Sequence, residues 1–234
     1  MPSRLSLIAL LAVLALAASI SSAPAQMAVP PGTGDTFKDL SPLKDAEASL
    51  PAGKRVAIYE FEDLECPACA HAFPIVHLAV DHYKIPLIRH DFPLQMHIWS
   101  RDAAITARYL QDKVSKEAAE QYRRDVFANQ TSINSKDDLT AYTRKWFNDH
   151  KNVGNQPFVI DPTGLFAAEV QADYRLGERI GLIHTPTIFV LYPQGWVQVT
   201  DVNQLYSAID NALAQAASAP APHATVAHKS GPAQ

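Results

Sequence analysis

Cysteine is scarce in this 234-residue sequence, which has only Cys66 and Cys69. Two cysteines cannot build a disulfide-dense scaffold, and a four-ligand zinc site would need several histidines beside them, so their role is chemical and not architectural. An excess of positive charge is missing too. The 20 Lys and Arg face 24 Asp and Glu, a net charge of −4, which argues against a broad electrostatic grip on nucleic acid or on an anionic membrane surface. There is no Gly-rich phosphate loop and no nucleotide fingerprint. Neither a cofactor nor a metal is therefore expected.

What is present fits a soluble globular protein, with 47% hydrophobic and 19% charged residues, in one large or two small domains. Arg4, the apolar run Leu5–Ala18 and the small-residue site Ala23-Pro24-Ala25 read together as a secretory signal over residues 1–25. The run falls short of the about 20 residues a membrane span needs. A retained N-terminal anchor is the alternative, and no Cys follows for lipid attachment. The rest of the protein is expected outside the cytosol, where thiols tend to be oxidised. Residues 26–50 read as a loosely built N-terminal extension, and the Ala/Pro-rich segment 217–234 as a disordered tail. The folded unit is expected over about residues 36–216.

Inside that unit Arg55–Phe61 reads as a strand apolar on both faces, interrupted by Glu60. Cys66-Pro67-Ala68-Cys69 follows and leads into a helix, kinked near Pro74, that runs to Val80. Pro67 suits a first helical turn. A second strand, Ile85–Phe92, stands at the distance of a parallel pair joined by a crossover helix. Residues 94–180 show only helical periodicity: Ala103, Ala107 and Leu110; Ala118, Tyr122 and Val126; Leu139, Tyr142 and Trp146 after a Ser135/Asp138 capping pattern; and a helix from Asp161-Pro162 with Phe166, Val170 and Tyr174. Strand character returns at Thr187–Tyr192 and Trp196–Val199. A helix capped by Asp201 closes the unit, with Leu205, Ile209 and Leu213 on one face.

This α/β order, with a Cys-x-x-Cys opening the first crossover helix, resembles the thioredoxin fold with an inserted all-helical domain. The segment Phe61–Cys69 and the loop His184-Thr185-Pro186-Thr187 are similar to those of DsbA-type thiol:disulfide oxidoreductases. His184 stands where a small residue is usual in that family. The resemblance implies that residues 51–93 and 181–216 form the thioredoxin-like domain and 94–180 the insertion. It also implies a cis bond before Pro186 and pairing of a substrate strand with the backbone of Thr185, beside Pro67 and Ala68. Glu60, six residues before Cys66, matches the buried acid that exchanges a proton with the inner cysteine. A salt bridge at the sheet edge is the alternative for Glu60, and an ordinary trans turn proline the alternative for Pro186.

The thiol chemistry is also legible without the family. A cysteine at a helix N-terminus has its thiolate stabilised by unpaired backbone N–H groups and the helix dipole, so Cys66 is expected to be the exposed nucleophile. Cys69, one turn on, is expected to be the buried resolving thiol. A fixed disulfide or half a metal site are the alternatives for the pair. The function expected is a periplasmic oxidoreductase that gives its disulfide to reduced client proteins. Regeneration by a quinone-linked membrane partner of the DsbB or vitamin K epoxide reductase kind is implied by the resemblance only. A reductase, an isomerase, or a non-catalytic chaperone or metal-binding module are the other readings. Glu60, Asp63 and Glu65 are expected to oppose the thiolate. That sets the reduction potential at about −120 to −270 mV on the scale of known pairs. His71, His77 and His82 do not share a helix face, and Trp99, Trp146 and Trp196 read as core or groove aromatics.

Overall fold

Six consecutive buried residues, Ala57–Glu62, form strand β1, and they are buried because β1 lies inside a sheet ordered β2-β1-β3-β4. The computed structural model describes residues 37–157 and 159–218; the signal read over residues 1–25 and nearly all of the tail lie outside them. Strand β2 (Leu87–Asp91) runs parallel to β1, with Arg89 opposite Glu60. Strand β3 (Thr187–Tyr192) pairs antiparallel on the other side, with Ile188 opposite Glu60, and turns into β4 (Gly195–Val199). Both parallel strands are shorter at their starts than the sequence patterns that announced them.

Seven helices accompany the sheet among the described residues: α1 (Ser41–Ala48), α2 (Pro67–Tyr83), α3 (Ser100–Lys113), α4 (Lys116–Asn129), α5 (Lys136–Asp149), α6 (Leu165–Ile180) and α7 (Leu205–Ser218). The two-residue period of a strand sends Ile58 to one face, where it packs with Val76 and Ala79 of α2 and Ile209 of α7. Tyr59 and Phe61 point to the other, against Leu43 of α1 and Ile180 of α6. Within the segment read as an extension, Phe37 already packs on Phe189 and Trp196, at 5.5 and 6.0 Å between ring centroids. No helix among the described residues is long and apolar enough to cross a membrane.

The helices between β2 and β3 build a further core from Ala107, Leu110, Tyr122, Val126, Trp146 and Phe147, which they share with Cys69 and Phe73 of α2. Hydroxyl caps start two of them: Ser115 accepts from the Ala118 N–H and Ser135 from the Asp138 N–H. Two sequence readings need correction here. Helix α6 begins at Leu165 and not at Asp161, because Gly164 adopts a left-handed φ of 73° and Asp161 reaches forward to accept from the Ala167 N–H at 2.8 Å. In α7 the inward face is Leu205, Ile209, Ala212 and Ala216, spaced 4, 3 and 4, whereas Leu213 is 37% exposed.

Helix α6 lies close to the end of β2. A Cβ placed on Gly177 would come within 2.4 Å of the Phe92 ring. Gly177→Ala is therefore expected to lower stability by about 1–3 kcal/mol through overpacking, against the gain of about 1 kcal/mol that alanine normally brings to a helix. Urea unfolding decides between the two signs.

Candidate active site

Cys66 is the N-cap of α2 and Pro67 its first residue, a place where a missing N–H costs nothing. The Cys66 N–H donates to the Asp63 carbonyl at 3.0 Å, and its own carbonyl accepts from Ala70 at 3.1 Å, which fixes the cap. Helix α2 then continues through Pro74 to Tyr83. The loop before β3 folds over the cap: the Cys66 thiol donates to the Thr185 carbonyl at 3.3 Å, and the Thr185–Pro186 bond is cis. Both cysteines are thiols. Contrary to the expectation of an exposed nucleophile, Cys66 is only 6% exposed, against 2% for Cys69, because that loop covers it. Pro67 and Ala68 are the exposed residues of the motif.

The two thiols are driven apart in acidity. A hydrogen bond from the Cys69 thiol, helped by the Thr185 side chain and the backbone of Cys69 and Ala68, overcomes burial and brings Cys66 down to about 5. Burial, reinforced by the contact with Cys66, pushes Cys69 well above the ordinary thiol range. The Thr185 hydroxyl is buried and has no full hydrogen bond of its own, yet it favours the anion on both sulfurs.

Asp63 and Glu65, expected to oppose the thiolate, do not face it. The Asp63 carboxylate accepts from the N–H groups of Glu65 and Leu94 and from His97 Nδ1. Glu65 accepts from the Trp99 and Ser100 N–H groups at the start of α3, at 2.7 and 3.0 Å, where the helix dipole favours a carboxylate.

Glu60 sits in the interior of the sheet, on β1, and not at an edge. Its carboxylate lies 3.9 Å from Arg89 Nε. Burial, then the neighbouring Glu62, pushes the Glu60 carboxyl up to about 8. It stands at one end of a network that sequence reading missed. Arg123 of α4 bonds Glu62 and Asp91, each at 2.7 Å; Arg108 of α3 bonds Asp91 at 2.6 Å and reaches Asp173 of α6; Arg89 reaches Glu120, which pairs with His77 at 3.1 Å. The available signal is Arg89 and Asp91 inside the segment Ile85–Phe92, which otherwise reads as a strand, and Glu62 one residue past the segment Arg55–Phe61. His77 thus belongs to this network, His71 is exposed on α2, and His82 packs against Tyr83 and Tyr206. Trp99 and Trp146 are core residues.

Because its folded-state value lies above the unfolded one, Glu60 contributes stability that is complete below about pH 4.5 and is lost by about pH 8. Glu60→Gln cannot ionise. The stability difference between wild type and variant, read from urea midpoints, is expected to move steadily in favour of the variant between pH 5 and pH 8. A difference that stays constant with pH contradicts the assignment.

Comparison with known proteins agrees with this geometry. A family model described as thioredoxin matches residues 53–194, more than half of the chain. The structure is similar to that of alpha-DsbA2 from Wolbachia pipientis, a thiol-disulfide exchange protein, with 18% identity over 73% of this chain and 92% of that one and a TM-score of 0.56. For Pseudomonas aeruginosa DsbA2 the values are 22%, 68%, 90% and 0.51; for Proteus mirabilis ScsC they are 16%, 75%, 79% and 0.57. At these identities the likeness is one of fold. No curated protein matches the chain. With the matching model, the β-α-β and β-β-α halves of the sheet and the helices between them, the chain belongs to the thioredoxin family, in the DsbA-like form of its fold.

Proposed function

We propose that the protein is a thiol:disulfide oxidoreductase that gives the Cys66–Cys69 disulfide to reduced client proteins. The observation that carries this reading is the placement of two thiols on one helix turn, Cys66 at the N-cap of α2 beneath the Thr185–Pro186 loop and Cys69 buried within the helix, a geometry that drives their acidities apart. A client thiolate attacks the Cys66 sulfur of the disulfide, and Cys69 leaves and takes up a proton. The client's second thiolate then attacks its own sulfur in the mixed disulfide, and Cys66 leaves as a thiolate. The client loses two electrons and two protons; one proton resides on Cys69 and, above about pH 5, the other passes to solvent. Glu60 is the proposed proton exchanger for Cys69. The backbone of Thr185, with Pro186, Pro67 and Ala68 around it, is the proposed seat of the client strand.

We place this activity in the periplasm, with a quinone-linked membrane partner restoring the disulfide. The test is oxidation of a reduced two-cysteine peptide by the oxidised protein, with Cys66→Ser as control. Turnover that vanishes in the control supports the reading. Reduction of insulin disulfides without peptide oxidation would transfer the assignment to a reductase.

A further inference from the structure

Asp63 takes no part in the exchange steps, yet its side chain is fully buried. Its carboxylate is saturated by three donors: the Glu65 N–H at 2.8 Å, the Leu94 N–H at 2.7 Å and His97 Nδ1 at 2.6 Å. Two of these come from the segment between β2 and α3, which a turn bond from the His97 N–H to the Leu94 carbonyl holds in shape at 2.9 Å. The main chain of the same residue serves both cysteines. Its carbonyl accepts from the Cys66 N–H at 3.0 Å, and its backbone also makes a hydrogen bond to Cys69. A carboxylate that locks this peptide segment therefore locks the frame from which both sulfurs hang.

We propose that Asp63 and His97 are a positioning pair for the two cysteines, and that their hydrogen bond governs how readily Cys66 becomes a thiolate. The inference rests on the exchange reading of the cysteines. Nothing between Asp63 and Cys66 is a direct charge contact, because the carboxylate points to Leu94 and His97. The other charged groups around the pair are Glu65, occupied by the Trp99 and Ser100 N–H groups, and Arg101 and Lys136, which line with His97 a cavity of about 340 Å³. Lys136 is itself paired with Asp102 at 3.0 Å.

The test compares three variants of the full chain, His97→Leu, His97→Asn and Asp63→Asn, by the pH midpoint of Cys66 alkylation in the reduced protein and by the equilibrium with glutathione. Urea midpoints are followed in parallel. His97→Leu removes the donor and should raise the alkylation midpoint by half a pH unit or more, about threefold less thiolate per thiol below the midpoint, with a matching fall in oxidising strength. Asp63→Asn should shift the same way. His97→Asn places an amide N–H where Nδ1 stood and should keep the wild-type midpoint. Indistinguishable Leu and Asn variants would overturn the proposal, and so would a downward shift in Asp63→Asn, which marks a direct charge effect. The His97 side chain is 17% exposed, against 0% for Asp63, so its two variants decide the matter even if Asp63→Asn does not fold. A wild-type protein without exchange activity would sink the exchange reading while leaving the midpoint comparison standing.

Discussion

Alkylation of the reduced protein is expected to label Cys66 half-maximally near pH 5 and to leave Cys69 unmodified through pH 8, as followed by mass spectrometry of the two-cysteine peptide. At pH 7 a thiol with a value of about 5 holds about a hundred thiolates per thiol, whereas an ordinary cysteine near 8.5 is a few per cent ionised. The same ionisation must show in the reduction potential. Below about pH 5, reduction of the disulfide takes up two electrons and two protons; above it, one proton is left in solution. The potential should fall by about 59 mV per pH unit on the acid side and by about 30 mV per unit on the neutral side. The sign for stability follows: the folded value of Cys66 lies below its unfolded one, so the reduced form draws full stabilisation from it above about pH 9 and none below about pH 5. With Asp63 and Glu65 turned away, the potential is expected toward the oxidising end, about −120 mV, of the range set out from the sequence. A midpoint near 8.5, or a single slope through pH 5, would remove the basis for the proposed direction of transfer.

Arg123→Met is expected to cost about 3–5 kcal/mol. Arg123 is 2% exposed and joins Glu62 to Asp91, both equally buried. Methionine fills similar volume but leaves two carboxylates without their main partner. Burial by itself would push the Asp91 carboxyl up; Arg123, then Arg108, override it and hold it at about 2. Wild-type Asp91 therefore contributes stability that is complete above about pH 4 and is lost toward pH 2; without Arg123 its folded value rises toward the unfolded one, so this acid loss should shrink and the gap between the two proteins should narrow on acidification. Urea titrations at pH 7 and at pH 2–3 check both statements. Adding Glu62→Gln to Arg123→Met should recover part of the loss, since the residual penalty is an uncompensated charge. A loss under about 1 kcal/mol would mean that the network is solvated enough to be dispensable.

The parts of the molecule that sequence reading reached are those fixed by local rules. Cys66-Pro67-Ala68-Cys69 at a helix start, the Thr-Pro-Thr before an apolar strand and the capping serines each act within a few residues, so their spacing carries the information. Direction in space does not travel with spacing. Spacing counts Asp63 and Glu65 as charges near Cys66, but the Asp63 carboxylate is taken by the Glu65 N–H and by Leu94, 31 residues on, and that of Glu65 by Trp99, 34 residues on. A helix terminus is usually open, which predicts an exposed Cys66, but a loop 119 residues further along the chain covers it. The ion network was illegible for the same reason: composition shows that arginines exist, and only packing shows that Arg89, Arg108 and Arg123 converge on β1 and β2.

Helix α2 turns Cys69 and Phe73 toward the helices between β2 and β3, and Ala72, Val76 and Ala79 toward the sheet. It is a party wall between two rooms. Cutting out residues 94–180 and splicing the ends would strip Leu64, Phe73 and both sulfurs of their apolar lining, so a miniature of this protein would keep the motif and lose its surroundings. Conversely, neither room can melt without breaching the wall, and amide exchange should report one cooperative opening for residues on opposite sides of it.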